Sequence, residues 1–315
     1  MITAAVFSLF MGRYGLAPDT VVRAVLGLAE RSLESNIVLS IRLPRIILTL
    51  LVGAGLSISG AAFQGVFQNP LVSPDVLSVS SGAAFGAVLG IMVSGSNSVI
   101  TAFSLSMGVV GVVLTYSFAR INGQVSTLSL VLSGMIMSAL FNALISMMKY
   151  VADTETQLPA ITYWLLGSFA ATTYRQVSIV VFPVLIGIAV LLPMSNKINI
   201  ISLGDEEAHA LGINPNRTRI IIILAATLIT AACITVTGII GWVGLVIPHI
   251  ARLLFGPNHA RLLPSATLLG ATFMTIVDLF ARTLTATEIP VGVLTALIGA
   301  PFFAILFRRS GRANE

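Results

Sequence analysis

Nine apolar runs separated by short polar connections account for most of this chain, and that pattern restricts it to one environment. They cover about Ile46 to Val66, Val76 to Ser94, Val99 to Ala119, Leu128 to Tyr150, Val177 to Met194, Thr218 to Thr237, Trp242 to Phe255, Leu263 to Leu284 and Val291 to Phe307. A membrane helix needs about 20 predominantly apolar residues, so most of these runs are long enough to cross a bilayer. Charged residues make up 9% of the 315, against about 25% in a soluble domain, too few to build a water-facing surface. The expectation is an all-α, polytopic membrane bundle in which residues 1–315 form a single domain.

Met1 to Gly12 is also apolar, but it is too short to span and has neither the basic start nor the small-residue cleavage site of a signal peptide. Read as the end of a truncated first helix, it brings the expected count to about ten. Arg13 to Pro44 carries Asp19, Arg23, Glu30, Arg31, Glu34 and Arg42, and is expected outside the bilayer as an amphipathic connection. The run from Trp242 to Phe255 is short and holds Pro248, which suits a broken or tilted helix whose freed backbone groups find partners in neighbours. Small residues recur at helix-face spacing, at Gly53, Ser57 and Gly60 and at Gly82, Gly86 and Gly90, where helices can approach closely. The basic tail Arg308, Arg309 and Arg312 is expected on the cytoplasmic side.

Several function classes fall away. The formal charge is +5, but 15 of the 17 basic residues are arginines scattered along the chain, not gathered into the stripe that nucleic acid requires. Cys233 stands alone inside an apolar run and reads as a small buried hydrophobe. His209, His249 and His259 lie in three segments without metal-ligand spacing, so no metal site is expected. The phosphate-cradling G-x-x-x-x-G-K-[ST] loop is absent, because Lys149 and Lys197 precede Tyr150 and Ile198 and lack the glycines. Ion-coupled carriers place costly ionisable groups at mid-membrane, whereas Asp278 and Arg282 sit near one end of their run. An ion-coupled secondary carrier would also need a buried charge pair and inverted repeats, neither of which is evident along the chain, and an intramembrane enzyme would need a converging polar constellation, which the three histidines do not supply. Energy for any uphill transport is therefore expected from a partner.

The candidate contact for that partner is Asn199 to Arg219. Asp205, Glu206 and Glu207 follow Gly204 and suit the positive end of a short helix, Ala208 and Leu211 are expected on one face, and Gly212 supplies a stop. Ser73-Pro74-Asp75 reads as an ordinary helix start, with Ser73 as N-cap, and the stretch around Asn69-Pro70 as unwound and a candidate to line a path.

The segment LGDEEAHALGI, from Leu203 to Ile213, resembles the coupling loop of the FecCD/BtuC-like permeases of ABC importers, the iron-siderophore, haem and vitamin B12 class. The resemblance extends over RLPRIILTLLVGAGLSISGAAFQGVFQNPLVSPDVLSVSSGAAFGA from Arg42, GWVGLVIPHIARLLFGPNHARLLP from Gly241 and EIPVGVLTALIGAPFF from Glu288. It implies a BtuC-like type II permease of about ten helices in a prokaryotic inner membrane, working as a homodimer or beside a similar permease. The path would lie at the subunit interface. Two cytoplasmic ATPase subunits would carry ATP and Mg, an extracytoplasmic binding protein would deliver cargo, and this chain itself would hold no cofactor and be no enzyme. The resemblance places the ATPase-coupling loop on Gly204, Asp205, Glu206, Glu207, Ala208, Leu211 and Gly212, with Gly204 hinging two short helices. It places binding-protein docking on Arg42, Arg45 and Arg282, and a cytoplasmic gate on Ser126 and Thr127. The cargo it implies is a metal chelate, a ferric siderophore first, with corrinoid, haem and oxyanion open.

Overall fold

A computed structural model of the chain describes residues 1–28, 32–121 and 124–312. The chain opens with α1 (Ile2–Phe10), α2 (Pro18–Val25) and α3 (Leu33–Asn36), and a π-helical turn over Ile37–Arg42 leads into α4 (Leu43–Val66). A 3-10 turn at Pro74–Leu77 precedes α5 (Val79–Val93) and α6 (Asn97–Ala119). A small antiparallel hairpin, β1 (Arg120–Ile121) with β2 (Gln124–Val125), connects to α7 (Thr127–Val151), α8 (Gln157–Leu165) and α9 (Tyr174–Leu191). Two short helices, α10 (Ser195–Ile201) and α11 (Asp205–Ala210), come before α12 (Pro215–Thr237), α13 (Val243–Phe255), α14 (His259–Thr283) and α15 (Val291–Arg312).

Six helical stretches among the described residues are long and apolar enough to cross a membrane, and α5, α13 and the apolar part of α15 are shorter. With α1, these follow the ten expected segments, although α1 is only nine residues long. Helix α4 is the hub, buried along nearly its whole length against α9, α12, α13 and α14. The outer helices turn apolar side chains outward, such as Leu132, Ile136 and Leu140 of α7 and Phe182 and Ile186 of α9, as a lipid solvent requires.

The small residues act where helices touch. A methyl group added to Gly53 would lie 2.2 Å from the Gly270 carbonyl oxygen of α14, and one on Gly60 1.9 Å from that of Gly244 on α13. Gly82 and Gly86 meet the backbone of α6 in the same way, through Met107 and Phe103. In hydrocarbon, close packing replaces the hydrophobic drive that holds soluble helices together.

Three expectations are corrected. The stretch Arg13 to Pro44 is not all connection: α2 fits that reading, with Val21 and Ala24 buried against Val38, but helix runs unbroken from Leu33 to Val66. Its Glu30 and Arg31 lie outside the described residues. Pro44 does not stop the helix because the π turn rearranges the bonds before it. The Leu43 N–H reaches back five residues to the Val38 carbonyl, and the Leu39 carbonyl, which Pro44 cannot serve, accepts from the Tyr174 hydroxyl at 2.7 Å. Tyr174→Phe is expected to cost about 1 kcal/mol, seen as a small drop in the melting temperature of the purified protein. Unchanged melting would mean that water serves the carbonyl equally well.

Second, the run from Val76 to Ser94 is not one helix. Ser78 takes a left-handed conformation with φ 58°, and α5 begins only after it. Third, Ser73 does not cap; its hydroxyl donates to Asp75 instead. Helix α8 was not anticipated, since its nine residues carry no long apolar period. The side chains of Arg308, Arg309 and Arg312 lie outside the described ones.

Candidate functional site

The polar segment between α9 and α12 folds into two short helices joined at Gly204. That residue has φ 134° and ψ 163°, a region essentially reserved for glycine, so the chain turns there without strain. Asp205, Glu206 and Glu207 occupy the first turn of α11, where free N–H groups and the helix dipole favour negative charge. Helix α11 ends in paired bonds, Ile213 N–H to the Ala208 carbonyl and Gly212 N–H to that of His209, with Gly212 at φ 75°. Asn214 then caps α12, accepting from the Arg217 N–H at 3.0 Å, with Pro215 in the first turn.

The seven residues of the segment divide by role. Asp205, itself exposed, is tied to the protein: its carboxylate takes a two-point bond from Arg219 of α12, at 2.5 and 2.8 Å. Those bonds hold its carboxyl below the usual carboxylate range. Ala208 is fully buried, whereas Leu211 is 59% exposed, so the two do not share a face as expected; the helix closes at Ala210 and Leu211 turns away as its cap. Glu206 and Glu207 are exposed, as is Leu203 on the other side of the hinge. The segment thus presents an acidic and apolar surface while Asp205 and Ala208 anchor it.

The three arginines expected at a docking face are placed differently. Arg45 is buried in a charge cluster, donating to both oxygens of Asp278 at 2.8 to 3.0 Å and to Glu288 at 2.9 and 3.0 Å. Arg42 donates to the carbonyls of Leu9 and Phe10, which the end of α1 leaves without helical partners, and to that of Tyr14 in the connection beyond. Arg282 donates to the Ser8 carbonyl and hydroxyl and lies 3.7 Å from Asp278. All three are at least 94% buried. They turn inward because buried carboxylates and helix-end carbonyls need donors that lipid cannot supply. The sequence showed Asp278 and Arg282 one turn apart, but not the partner 233 residues away.

At the start of α7, the Ser126 hydroxyl accepts from the Ser129 N–H at 3.0 Å, so it caps the helix; Thr127 beside it is half-buried. His209 is exposed on α11, His249 packs edgewise on Phe302, and His259 bonds Asn199. No group of three potential metal ligands occurs among the described residues.

A further polar region adjoins Asn69 and Pro70, the stretch expected to be unwound, which lies outside helix. Gln64 and Gln68 at the end of α4, Asn199 of α10, Arg252 of α13 and His259 of α14 line a cavity of about 650 Å³ next to the hinge. Arg252 donates to the Gln64 side chain at 2.9 Å, tying the end of α13 to the end of α4. The Ser202 hydroxyl bonds the Gly65 carbonyl and the Gln68 amide the Ile201 carbonyl, so the hinge is joined directly to the α4 end.

The profile of the FecCD transport family matches residues 1–309. The chain belongs to that family. Over 318 aligned residues it is 41% identical to the molybdate import system permease protein MolB of Haemophilus influenzae, covering 100% of this chain and 94% of the relative. It is 42% identical to a probable iron chelatin transport system permease protein of Helicobacter pylori, over 90% of this chain and 86% of that one. A solved structure reported as an inward-facing conformation of a metal-chelate type ABC transporter superposes with a TM-score of 0.89 at 40% identity, covering 98% and 96% of the two chains. This FecCD family member is thus a multi-pass inner-membrane permease of an ABC importer.

Proposed function

We propose that this chain forms half of the translocation path of an ATP-driven importer for a metal chelate, a ferric siderophore first. It works as a homodimer or beside a similar permease, with two ATPase subunits in the cytoplasm and a binding protein outside. The hinge carries the reading. Gly204, Glu206, Glu207, Leu203 and Leu211 form an exposed acidic and apolar surface, and the bonds from Ser202 and Gln68 tie it to α4, the hub of the bundle. A push on that surface by an ATPase reaches the centre of the path through few contacts. Ser126 and Thr127, at the start of α7, gate its cytoplasmic end. Arg42, Arg45 and Arg282 shape the opposite end by fixing α1, α4 and α14 from within, and the binding protein docks on the surface they support.

The structural match to a metal-chelate transporter and the iron chelatin relative support a chelate as cargo. The end-to-end match to a molybdate permease favours a second reading, a molybdate-type oxyanion. Proteoliposomes holding the permease, its ATPase and its binding protein separate them: ATP-dependent uptake of a ferric siderophore is expected, and uptake of molybdate alone would establish the second reading. The purified chain without partners is expected to hydrolyse no ATP. Hydrolysis by the chain alone would overturn the assignment.

A further inference from the structure

Two helices of the bundle start inside the protein, not at its surface. Helix α5 follows Ser78 at φ 58° and α13 follows Trp242 at φ 71°, and the two starts flank one narrow crevice lined by Leu56, Asp75, Thr230, Trp242 and Leu245. Its depth can be read from the long helices. Leu56 is thirteen residues from the start of α4 and ten from its end, about 20 and 15 Å at 1.5 Å per residue. Thr230 likewise lies within α12, fifteen residues from its start and seven from its end. The crevice is therefore in the membrane interior, and Asp75 stands there with an exposed side.

A carboxylate at this depth needs an explanation. Asp75 has no ion pair among the described residues; its partners are the hydroxyls of Ser73, at 3.2 Å, and Ser80. Two donors leave acceptor sites unfilled, since an ionised carboxylate offers about four. An ionised carboxylate facing hydrocarbon is costly, so such groups face a water-filled cavity or protein. The irregular backbone on both sides, at Gln68 to Ser78 and at Gly238 to Trp242, leads to the same conclusion, because lipid cannot satisfy it.

We infer that Asp75 lines the aqueous path at mid-depth, where its free lone pairs take hydrogen-bond donors of the passing cargo. This rests on the importer reading and narrows its substrate class. Hydroxyl, amide or ammonium groups on the periphery of a chelate fit such a station. A bare oxyanion offers only acceptors, which give those lone pairs no donor.

The test uses the full complex in liposomes, with Cys233→Ala removing the one native thiol. In that background, Asp75→Cys is compared with Phe182→Cys, which stands on the outward apolar face of α9. The probe is a membrane-impermeant, charged methanethiosulfonate. Asp75→Cys is expected to react at least about tenfold faster, since only a hydrated thiol ionises readily, and at a rate that changes when the ATPase binds nucleotide. Equal, slow labelling of both positions in every nucleotide state would overturn the inference. Asp75→Asn, which keeps the shape, is expected to cut ferric siderophore uptake by about tenfold while binding of the ATPase stays normal. Wild-type siderophore uptake by that variant would equally refute it. Failure of the importer reading looks different: the unmutated complex would then show no ATP-dependent uptake of any cargo, whatever the labelling pattern.

Discussion

Asp278→Ala is expected to destabilise the folded protein by about 3–5 kcal/mol, lowering the melting temperature of the detergent-purified chain by on the order of 10 °C. The carboxylate is 1% exposed and bonded by Arg45 through three contacts, with Arg282 a further 3.7 Å away. Removing it leaves two buried guanidinium groups without their main counter-charge, and Glu288 answers only Arg45. The cost comes from the stranded charges more than from the lost attraction. Consequently, Arg45→Met combined with Asp278→Leu is expected to recover the part of the loss that a stranded Arg45 causes, because a buried pair replaced by apolar groups of similar size is often near neutral, while Arg282 still lacks its counter-charge and Glu288 its partner. A double variant as unstable as the sum of its single variants would show that the two residues act independently.

Gly204→Val has the larger functional effect, with a smaller one on folding. The backbone at φ 134° and ψ 163° is closed to residues with a β-carbon, at a cost of about 1–3 kcal/mol, and the added atom would lie 2.3 Å from the Glu207 carboxylate. The Glu207 side chain is exposed and can move, but the backbone cannot keep its angle. The junction between α10 and α11 therefore changes direction while the bundle beneath it stands. Transport coupled to ATP hydrolysis is expected to fall by at least about 100-fold, in line with the loss caused elsewhere by misplacing an acting group by about 1 Å. Size-exclusion profile and membrane insertion are expected to remain normal. Wild-type transport by Gly204→Val in proteoliposomes would remove the segment from the coupling mechanism.

Much of the fold was legible because hydrocarbon is a demanding solvent. Each long span must be apolar and must satisfy its own backbone, so α6, α7, α9, α12 and α14 begin and end close to where their runs do. Small residues at Gly53, Ser57 and Gly60 announced close helix contacts in the same way. The short helix α11 was legible from the order of a glycine, three acids and a second glycine, each with its own local reason, whereas the hinge at Gly204 came from the family resemblance. Where the reading departed from the structure, the cause was not local. Pro44 is held inside a helix by a tyrosine hydroxyl 135 residues away, and Leu211 leaves the face of Ala208 because a helix of six residues ends early.

The sequence by itself determined that this chain lives in a membrane, that it carries no nucleotide loop of its own, and which family it resembles. These follow from composition and from short ordered motifs, which act within one turn or one span. Only the tertiary structure decided the direction in which the charges point. The resemblance places Arg42, Arg45 and Arg282 at a docking face, yet each is turned inward by carboxylates or carbonyls brought up from other helices. Asp75, read as part of a helix start, lies beside Leu56 in the middle of α4 because the segment after that helix folds back along it. A charge is assigned its role by whatever lies within a few ångströms of it, since electrostatic and hydrogen-bond energies in a low dielectric fall steeply with the distance that only packing sets.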